Sequence, residues 1–331
     1  MSRESQWASD PTMSQKLGLS TCDEFGEDDQ LGSAACLTSD PGIDRRTSLS
    51  PPEIIASLRK FSAISLEDTN KFASMLKRID NKYVVDRQQL LSVLDVLRDG
   101  FRILRIDERG IFSYESCYFD DNYQCFSEHR QGRRQRFKVR TRRYVESGLA
   151  FFEVKLKGKR GQTEKSRAAC DHYDSFVVND REQQMLRELY EKNYGKAFHY
   201  RMVPALHVSY RRFTLVSASG RERITVDLNL GFETPSGKHA RIGDDFIIIE
   251  TKTADGRGKS DRALKQKHIR TADGCSKYCI GMALTGEVQR YNKFRAIVRK
   301  ARSRMPTSGE RCLQRDPVRD PSLMLDRIAR C

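Results

Sequence analysis

The chain has 331 residues and a formal net charge of +15, with 38% hydrophobic and 32% charged residues. The length allows one large domain or two ordinary ones, and the composition predicts a soluble, polar chain. The charge is uneven, because residues 1–60 carry a net charge of −4 whereas the remainder carries +19. A basic body indicates an anionic partner, and nucleic acid, anionic lipid and phosphate-rich small molecules all qualify.

Nine cysteines occur, none of them in a C-x-x-C pair, so zinc-ribbon spacing is absent. The six histidines show no metal-ligand spacing, and the sequence assigns them no role. The N-terminus lacks the apolar segment of a signal peptide, and no run of about 18 apolar residues occurs. We therefore expect a cytoplasmic protein with free thiols and no transmembrane segment.

In chain order, residues 1–50 are rich in Ser, Asp, Gly and Thr, and we expect a disordered leader over residues 1–60. A folded domain over 61–304 and a flexible basic tail over 305–331 complete the predicted organisation. Hydrophobic spacing predicts helices over residues 54–79, 86–98, 180–194 and 287–302. Alternation predicts strands over residues 78–85, 111–120, 134–144, 149–157, 205–216, 221–230 and 245–253, with a basic loop over 158–167.

The segment from 134 to 144 places a cation at every second position: Arg134, Arg136, Lys138, Arg140 and Arg142. Because strand side chains alternate between faces, all five share one face, with neighbours about 7 Å apart. Each adjacent pair repels by roughly 2 kcal/mol at an effective dielectric constant of about 20, and by much less in open water. The pattern is typical either of a solvated basic edge strand or of a lumen wall that holds a polyanion.

At least six predicted strands carry charge on one face and apolar residues on the other. On the strand over 149–157, Glu153 and Lys155 lie on one face, and Phe152 and Val154 lie on the other. The simpler role for Glu153 and Lys155 is a cross-strand ion pair. A closed antiparallel barrel would gather the charged faces into a lumen and bury the apolar faces under helices. The predicted fold class is therefore α+β: an antiparallel β tunnel, closed as a barrel, lined by basic residues and flanked by helices. An open sheet with its charged face in water is the alternative.

Glu250 follows the apolar run 246–249, so its carboxylate should be partly buried and needs a cation. Lys252 on the same face could supply this cation structurally, or a hard divalent metal such as Mg²⁺ or Mn²⁺ could supply it functionally. Spacing leaves both alternatives open. A Walker A loop, a G-x-S-x-G elbow, an RNP-type aromatic pattern and zinc fingers are all missing, so no nucleic-acid partner is expected.

Nine short motifs occur in the order seen in VTC domains, the polyphosphate polymerase domains of the triphosphate tunnel metalloenzyme (CYTH-like) superfamily. The motifs are Arg78-x-Asp80-x-Lys82-Tyr83, Ser116-x-Tyr118-Phe119-Asp120, Phe137-Lys138-Val139-Arg140, Phe152-Glu153-Val154-Lys155, Glu164-Lys165-Ser166-Arg167, Tyr210-x-Arg212, Arg223-Ile224-Thr225-x-Asp227, Ile249-Glu250-x-Lys252 and Ser276-Lys277-Tyr278. The chain resembles this family over residues 63–302. Related triphosphatases and cyclases carry an E-x-E-x-K strand, and Phe151 stands at its first Glu position, which favours the VTC pattern.

The resemblance implies a phosphotransferase of the polyphosphate polymerase type, which transfers the γ-phosphate of ATP to a growing polyphosphate chain inside a basic tunnel. Mn²⁺, or Mg²⁺, would be the cofactor, and Glu250 would hold it. Eight residues would line the tunnel and hold phosphates: Lys82, Lys138, Arg140, Lys155, Lys165, Arg212, Arg223 and Lys277. Among these, Lys138, Arg140, Arg212 and Arg223 would bind the phosphates of the substrate.

Two other functions remain open on the same fold. One is a hydrolase that cleaves triphosphate or polyphosphate, and the other is a non-catalytic module that binds polyanions. The partners expected in every case are ATP, polyphosphate or both, and the sequence names no protein partner.

Overall fold

The computed structural model describes residues 20–21, 51–73, 79–158 and 163–305. The strands of this part of the chain are β1 (Ser20–Thr21), β2 (Ala63–Ile64), β3 (Ile79–Val85), β4 (Phe101–Leu104), β5 (Phe112–Asp120), β6 (Arg136–Tyr144), β7 (Ala150–Lys157), β8 (Thr163–Ala169), β9 (Val203–Ser217), β10 (Arg223–Glu233), β11 (His239–Arg241) and β12 (Ile247–Thr253). Its α-helices are α1 (Pro52–Arg59), α2 (Leu66–Ala73), α3 (Arg87–Leu97), α4 (Gln124–Gln131), α5 (Asp180–Tyr194), α6 (Lys259–Gln266), α7 (Lys277–Leu284) and α8 (Arg295–Arg302).

The strands form one sheet in the order β1-β8-β7-β6-β5-β9-β10-β12-β3, and neighbours along this path are antiparallel. In a flat sheet, β7 and β3 would be separated by roughly 29 Å, because six spacings of about 4.8 Å lie between them. Lys155 on β7 nevertheless interacts electrostatically with Glu250 on β12 and Lys82 on β3. The sheet is therefore curled into a half-barrel, and one of its faces is concave.

The expected closed barrel is wrong, because the half-barrel stays open. Among the described residues, no backbone pairing joins β3 to β8 or β1. Unpaired edge groups favour closure, but here each edge has another partner. The free edge of β3 receives a backbone hydrogen bond from Ala272 N to Lys82 O (2.7 Å) and a bridge from Thr271, while the free edge of β8 pairs with β1.

The convex face is apolar and is covered by helices in two regions. On β6 and β7, Phe137, Val139, Phe152, Val154 and Leu156 are almost fully buried in a core that also contains residues of α5. On β9, β10, β12 and β3, a second core includes residues of α1, α3 and α6. These cores leave the opposite, concave face to the polar side chains of the same strands.

Helix α7 packs against the concave side of β9 and β10. Gly281 is at the contact, and a Cβ atom there would clash with Phe232 and Leu206. At the start of the helix, the hydroxyl of Tyr278 donates a hydrogen bond to the buried carboxylate of Asp120 at the end of β5. The helix thus fills part of the concave face and brings its first turn to the charged strands.

Helix α1 lies within residues 1–60, which the sequence assigned to a disordered leader. Ile54 and Leu58 are buried in the second core, so the leader prediction is wrong for this helix. Apart from Ser20–Thr21, residues 1–50 lie outside the described part of the chain, as do residues 306–331 of the predicted tail.

Four other predicted elements differ from the structure. The helix predicted over 54–79 is divided, because the hydroxyl of Ser65 accepts a hydrogen bond from Asp68 N (3.0 Å) and starts a separate helix, α2. The loop predicted over 158–167 contains strand β8 from Thr163 onward, and the helix predicted over 287–302 is reduced to α8. The cationic strand starts at Arg136, so Arg134 precedes it.

The helix predicted over 180–194 is confirmed residue for residue by α5, where Asn179 and Glu182 form a capping box. The helix predicted to start at Asp86 is confirmed by α3, which begins with a capping box of Asp86 and Gln89. No helix in the part of the chain that the structure describes is long and apolar enough to span a membrane.

Candidate functional site

Strand register places seven of the eight predicted cations on the concave face. Side chains of directly paired residues share a face, and the pairs include Lys82–Glu250, Lys138–Lys155, Arg140–Glu153, Lys155–Lys165, Arg212–Asp227 and Arg223–Lys252. The eighth, Lys277, is the first residue of α7, and its ammonium contacts Asp227. The structure therefore brings the predicted site residues together from β3, β6, β7, β8, β9, β10 and α7.

Glu153 on β7 is the centre of one group of these cations, the Glu153 cluster: Glu153, Arg140, Arg142 and Lys165. The Glu153 side chain is only 3% exposed. Its Oε2 accepts a hydrogen bond from Arg140 Nε (2.6 Å), and its Oε1 lies 2.8 Å from Lys165 Nζ. Although burial opposes ionisation, these cations hold the pKa of Glu153 well below its usual range. The cluster is a buried, charge-compensated assembly joining β6, β7 and β8.

Asp227 on β10 is the centre of the Asp227 cluster: Asp227, Arg212 and Lys277. Arg212 donates two hydrogen bonds to this carboxylate, Nε to Oδ1 (2.6 Å) and Nη2 to Oδ2 (2.9 Å), and Lys277 also contacts Oδ2. Two guanidinium–carboxylate bonds in parallel fix orientation as well as charge. Burial disfavours the charged carboxylate, but Arg212 and Lys277 lower its pKa below the usual range.

Stacked tyrosines support the Asp227 cluster from one side. The rings of Tyr114 and Tyr210 have centroids 5.2 Å apart and planes inclined by 13°. The guanidinium of Arg212 lies 5.2 Å and 5.3 Å from their centroids, and Lys277 Nζ lies 4.5 Å from that of Tyr210. Cation–π contacts of this kind stabilise cations where water is partly excluded.

Glu250 on β12 is the centre of the Glu250 cluster: Glu250, Lys82 and Lys252. Its Oε2 lies 2.7 Å from Lys82 Nζ, and its Oε1 lies 3.2 Å from Lys252 Nζ. The structural role for Lys252 that the sequence left open is therefore realised. Burial raises the pKa of Glu250, but Lys252 and Lys82 lower it by more than burial raises it. The pKa of Glu250 therefore lies well below its usual range. Glu250 is ionised at neutral pH.

Two lysines on the concave face differ from these clusters, and we call Lys138 and Lys155 the lysine pair. They lie directly opposite each other on β6 and β7. Within the described residues, no carboxylate lies at salt-bridge distance from either ammonium, and Lys138 Nζ donates to the Ser276 hydroxyl at 3.0 Å. Burial lowers the pKa of Lys138, and burial together with nearby lysines lowers that of Lys155 to about 8.

Tyr118 on β5 also faces this region, and its hydroxyl accepts a hydrogen bond from Arg140 Nη1 (2.8 Å). Burial would raise its pKa, but the surrounding cations, with Arg140 the strongest, lower it to about 8. A lowered phenol pKa is a measure of strong positive potential. The electrostatic environment of the concave face near Tyr118 and the lysine pair therefore favours the binding of an anion.

A family model of the VTC domain matches residues 77–285, which is more than half of the chain. The chain belongs to the VTC domain family. The resemblance seen in the nine motifs is thereby confirmed, and the matched range contains every residue of the three clusters and the lysine pair. Among curated protein sequences, none matches the chain at a significant level.

Solved structures with similar folds come from several organisms. An adenylyl cyclase candidate from Hippeastrum with a dominant triphosphatase activity has a TM-score of 0.41 and 14% identity, covering 65% of this chain and 99% of its own. An adenylate cyclase candidate from Bacillus halodurans has a TM-score of 0.42 and 11% identity, covering 61% and 95%. An RNA triphosphatase from S. pombe has a TM-score of 0.23 and 11% identity, covering 67% and 77%. Likenesses of this size identify no activity for the VTC domain described above.

The donor set at Glu250 limits the kind of metal that the VTC domain could hold. The part of the chain that the structure describes contains no group of three His, Cys, Asp or Glu side chains around Glu250 that could share an ion. One ionised carboxylate is too few for a resident metal, but it fits Mg²⁺ or Mn²⁺, which keep water ligands and also bind substrate phosphates. The residues present therefore fit a cation that is partly coordinated by the substrate.

Sequence reasoning missed the acidic centre Asp227 and the tyrosine stack, although Asp227 belongs to one of the nine motifs. The acidic residue Asp227 could have been recognised by its pairing with the basic residue Arg212 on the adjacent strand. That pairing can be seen only when the register between β9 and β10 is known. Arg142 was included in the cationic strand but not among the tunnel residues, and it lies 3.9 Å from Glu153.

Proposed function

We propose that this VTC domain is a metal-dependent phosphotransferase that extends a polyphosphate chain with the γ-phosphate of ATP. The observation that carries the proposal is the lysine pair on the concave cationic face: Lys138 is half-buried, Lys155 is exposed, and neither ammonium has a carboxylate partner among the described residues. A phosphate chain with one negative charge per unit would compensate Lys138 and Lys155 where the protein itself does not.

In this proposal the chain's residues bind and align the two reactants. The lysine pair would bind phosphates of the growing chain, and Arg140 and Arg212, held in fixed orientations by Glu153 and Asp227, would present their remaining N–H groups to neighbouring phosphates. Lys82, Lys165, Arg223 and Lys277 would add positive potential along the face. Alignment and charge stabilisation are the main protein contributions to phosphoryl transfer.

The transfer needs no covalent intermediate on the protein. An oxygen of the terminal polyphosphate unit would attack the γ-phosphorus of ATP, the bond from that phosphorus to the β–γ bridging oxygen would break, and ADP would leave. A divalent cation, Mn²⁺ or Mg²⁺, would neutralise charge on the transferring phosphates when bound, and Glu250 would hold it. A cytoplasmic location, where ATP is present, belongs to the same proposal.

Hydrolysis of triphosphate is the second candidate, because the same cations would bind that substrate. A hydrolase also needs a base that activates water, and Glu153, the carboxylate nearest the lysine pair along β7, has both oxygens bonded to cations. Glu250 is paired through both oxygens in the same way, with Lys82 and Lys252, so either carboxylate would have to exchange a cation before it could act as a base or hold a metal.

Purified protein incubated with ATP and Mn²⁺ tests the proposal, with polyphosphate length read on a gel and free phosphate measured in parallel. The proposal expects chains that lengthen with time and release of ADP in equal amount to phosphate incorporated. Free phosphate without chains would establish the hydrolase instead. If the protein binds polyphosphate tightly but shows no turnover with any divalent cation, it is a non-catalytic module that binds polyanions.

A further inference from the structure

A second cluster of chemically active side chains lies outside the concave face, where β8 ends and α5 begins. Cys170 directly follows β8, His172 is two residues further on, and Glu182 lies in the first turn of α5. Their donor atoms all lie within 4.8 Å of one another. Neither the family match nor the proposed phosphotransfer assigns a role to these three residues.

Two of the three distances within this cluster are close to those between the ligands of one tetrahedral metal ion, and the third, from the Cys170 sulfur to the Glu182 carboxylate, is within 4.8 Å. With Zn–S of about 2.3 Å and Zn–N or Zn–O of about 2.0 Å, a sulfur and a nitrogen ligand lie roughly 3.5 Å apart, and a nitrogen and an oxygen ligand roughly 3.3 Å. Here Cys170 Sγ lies 3.9 Å from His172 Nε2, and Nε2 lies 3.1 Å from Glu182 Oε2. Small side-chain rotations would bring all three onto one ion.

Local structure explains one oxygen of Glu182 but not the other. Oε2 accepts a hydrogen bond from Asn179 N (3.1 Å) as part of the capping box of α5. Oε1 is buried and has no hydrogen-bond partner in the part of the chain that the structure describes, and the residue is only 4% exposed. A buried carboxylate oxygen that lacks a partner is costly, and an ion that Oε1 shares with Cys170 and His172 would remove that cost while Oε2 keeps its bond from Asn179 N.

The imidazole of His172 has the outer partner that metal-binding histidines usually have. Its Nδ1 lies 3.0 Å from the carboxylate of Asp171, while Nε2 is directed toward Glu182. In metal sites, a carboxylate that accepts from the other ring nitrogen fixes the tautomer and orientation of the ligand. A cleft of about 250 Å³ lined by Asp171, Asn179 and Glu182 lies beside the cluster, so an ion has a path to it and space for a fourth ligand.

We propose that Cys170, His172 and Glu182 form a zinc site that fastens the end of β8 to the start of α5. One thiolate, one imidazole and one carboxylate are a ligand set that zinc accepts, and a hard cation such as Mg²⁺ does not favour the thiolate. The fourth position is open to the cleft. The site lies five residues beyond Lys165, so it would also hold in place the strand that supplies that lysine to the Glu153 cluster.

Binding of the metal alone to the full chain tests this site without any activity assay. Protein stripped with a chelator is titrated with Zn²⁺ against a chromophoric competitor, and Co²⁺ serves as the spectroscopic probe. We expect one tight site per chain and a thiolate-to-Co²⁺ charge-transfer absorption. Cys170→Ser should abolish that absorption, whereas Cys117→Ser, which removes another buried free thiol, should leave it unchanged.

Two further variants keep the test decisive if Cys170→Ser does not fold, as judged by circular dichroism. His172→Ala should abolish tight binding, and Asp171→Asn should weaken it by about 10–100-fold, the usual effect of losing such an outer partner. His239→Ala, an exposed histidine on β11, is the control and should bind as the wild type does. Absence of a tight site in the folded wild type would overturn the proposal, as would wild-type affinity in both Cys170→Ser and His172→Ala.

Discussion

The concave face carries its positive charge in two different arrangements. In the Glu153, Asp227 and Glu250 clusters, a carboxylate lies between the cations and fixes them by hydrogen bonds of 2.6–2.9 Å or by ion pairs. In the lysine pair, two ammonium groups lie opposite each other across neighbouring strands, and Lys138 bonds only to a neutral hydroxyl among its described hydrogen bonds. The same residue types are therefore used in two ways.

This difference separates the charges that stabilise the fold from those that are available to a ligand. The three clusters keep a net positive charge, because each contains more cations than carboxylates, but every one of their cations has an anionic partner that fixes its position and holds the strands in register. In the lysine pair, burial is the main cause of the lowered pKa values, and no carboxylate among the described residues lies at salt-bridge distance to offset it. Variants in the clusters should therefore affect stability or catalysis first, and variants in the pair should affect anion affinity.

The largest effect is expected from Glu153→Gln. Removing this carboxylate leaves Arg140 and Lys165 without their shared partner in a buried place, and we expect a loss of about 3–5 kcal/mol in the free energy of unfolding. Urea denaturation measures it, and Glu164→Gln on β8 is the control. Because the folded-state pKa of Glu153 is depressed, its stabilisation is present above the usual value of 4.5 and is lost as the pH falls below it. A variant as stable as the wild type would show that the cluster is not structural.

Glu250→Gln should lower turnover by about 100-fold or more, the effect typical of losing one preorganised group at a developing charge. The shape of the side chain is retained, and we expect polyphosphate affinity to change little, since the lysine pair is untouched. Steady-state assays with ATP and Mn²⁺ and a separate binding titration measure the two quantities. Unchanged turnover would reject the role proposed for Glu250 in holding the metal.

Lys138→Met should weaken polyphosphate binding by about 1.5–3 kcal/mol, the value of a hydrogen bond to a charged group. It should also reduce the dependence of affinity on salt, because one cation fewer meets the polyanion. Lys165→Met should have a smaller effect, since Lys165 is already paired with Glu153. Lys192→Met on the exposed side of α5 is the control. If all three variants bind equally, the contrast between paired and unpaired cations has no consequence for ligands.

The smallest effect concerns pH. The pKa of Lys155 is lowered to about 8 in the free protein, and a bound polyanion should raise it. Affinity is therefore highest below this value and should fall, by at most tenfold per pH unit, as the pH rises through it. Calorimetry in two buffers of different ionisation enthalpy should detect proton uptake above about pH 8, and Lys155→Met should abolish it. Proton uptake of equal size in that variant would assign the effect to another group.

Alternation and capping allowed much of the fold to be predicted from the sequence. The cations of β6 occur at every second position, so their common face follows from strand geometry alone. The start of α3 follows from the capping residues Asp86 and Gln89. Strand β8 was missed because Thr163–Ala169 has no alternation of apolar and polar residues that would distinguish it from a loop.

What could not be predicted depends on register and on distant contacts. The pairing of Arg140 with Glu153 requires the alignment of β6 with β7, and the contact of Lys277 with Asp227 requires the docking of α7. Closure of the barrel was predicted from charge, but the edges of β3 and β8 are occupied by Ala272 and β1. Three residues that sequence spacing did not connect, Cys170, His172 and Glu182, meet because a strand end and a helix start lie together.

Gly281 shows how packing on one side of a helix determines the width of the charged groove on the other. Its missing side chain lets α7 seat directly against Phe232 and Leu206. Four residues earlier, roughly 6 Å along the same rigid helix, Lys277 reaches β10, and the preceding residue, Ser276, reaches β6. A methyl group at position 281 would move the whole helix away from the sheet. The width of the charged groove therefore depends on Gly281, a residue that carries no charge.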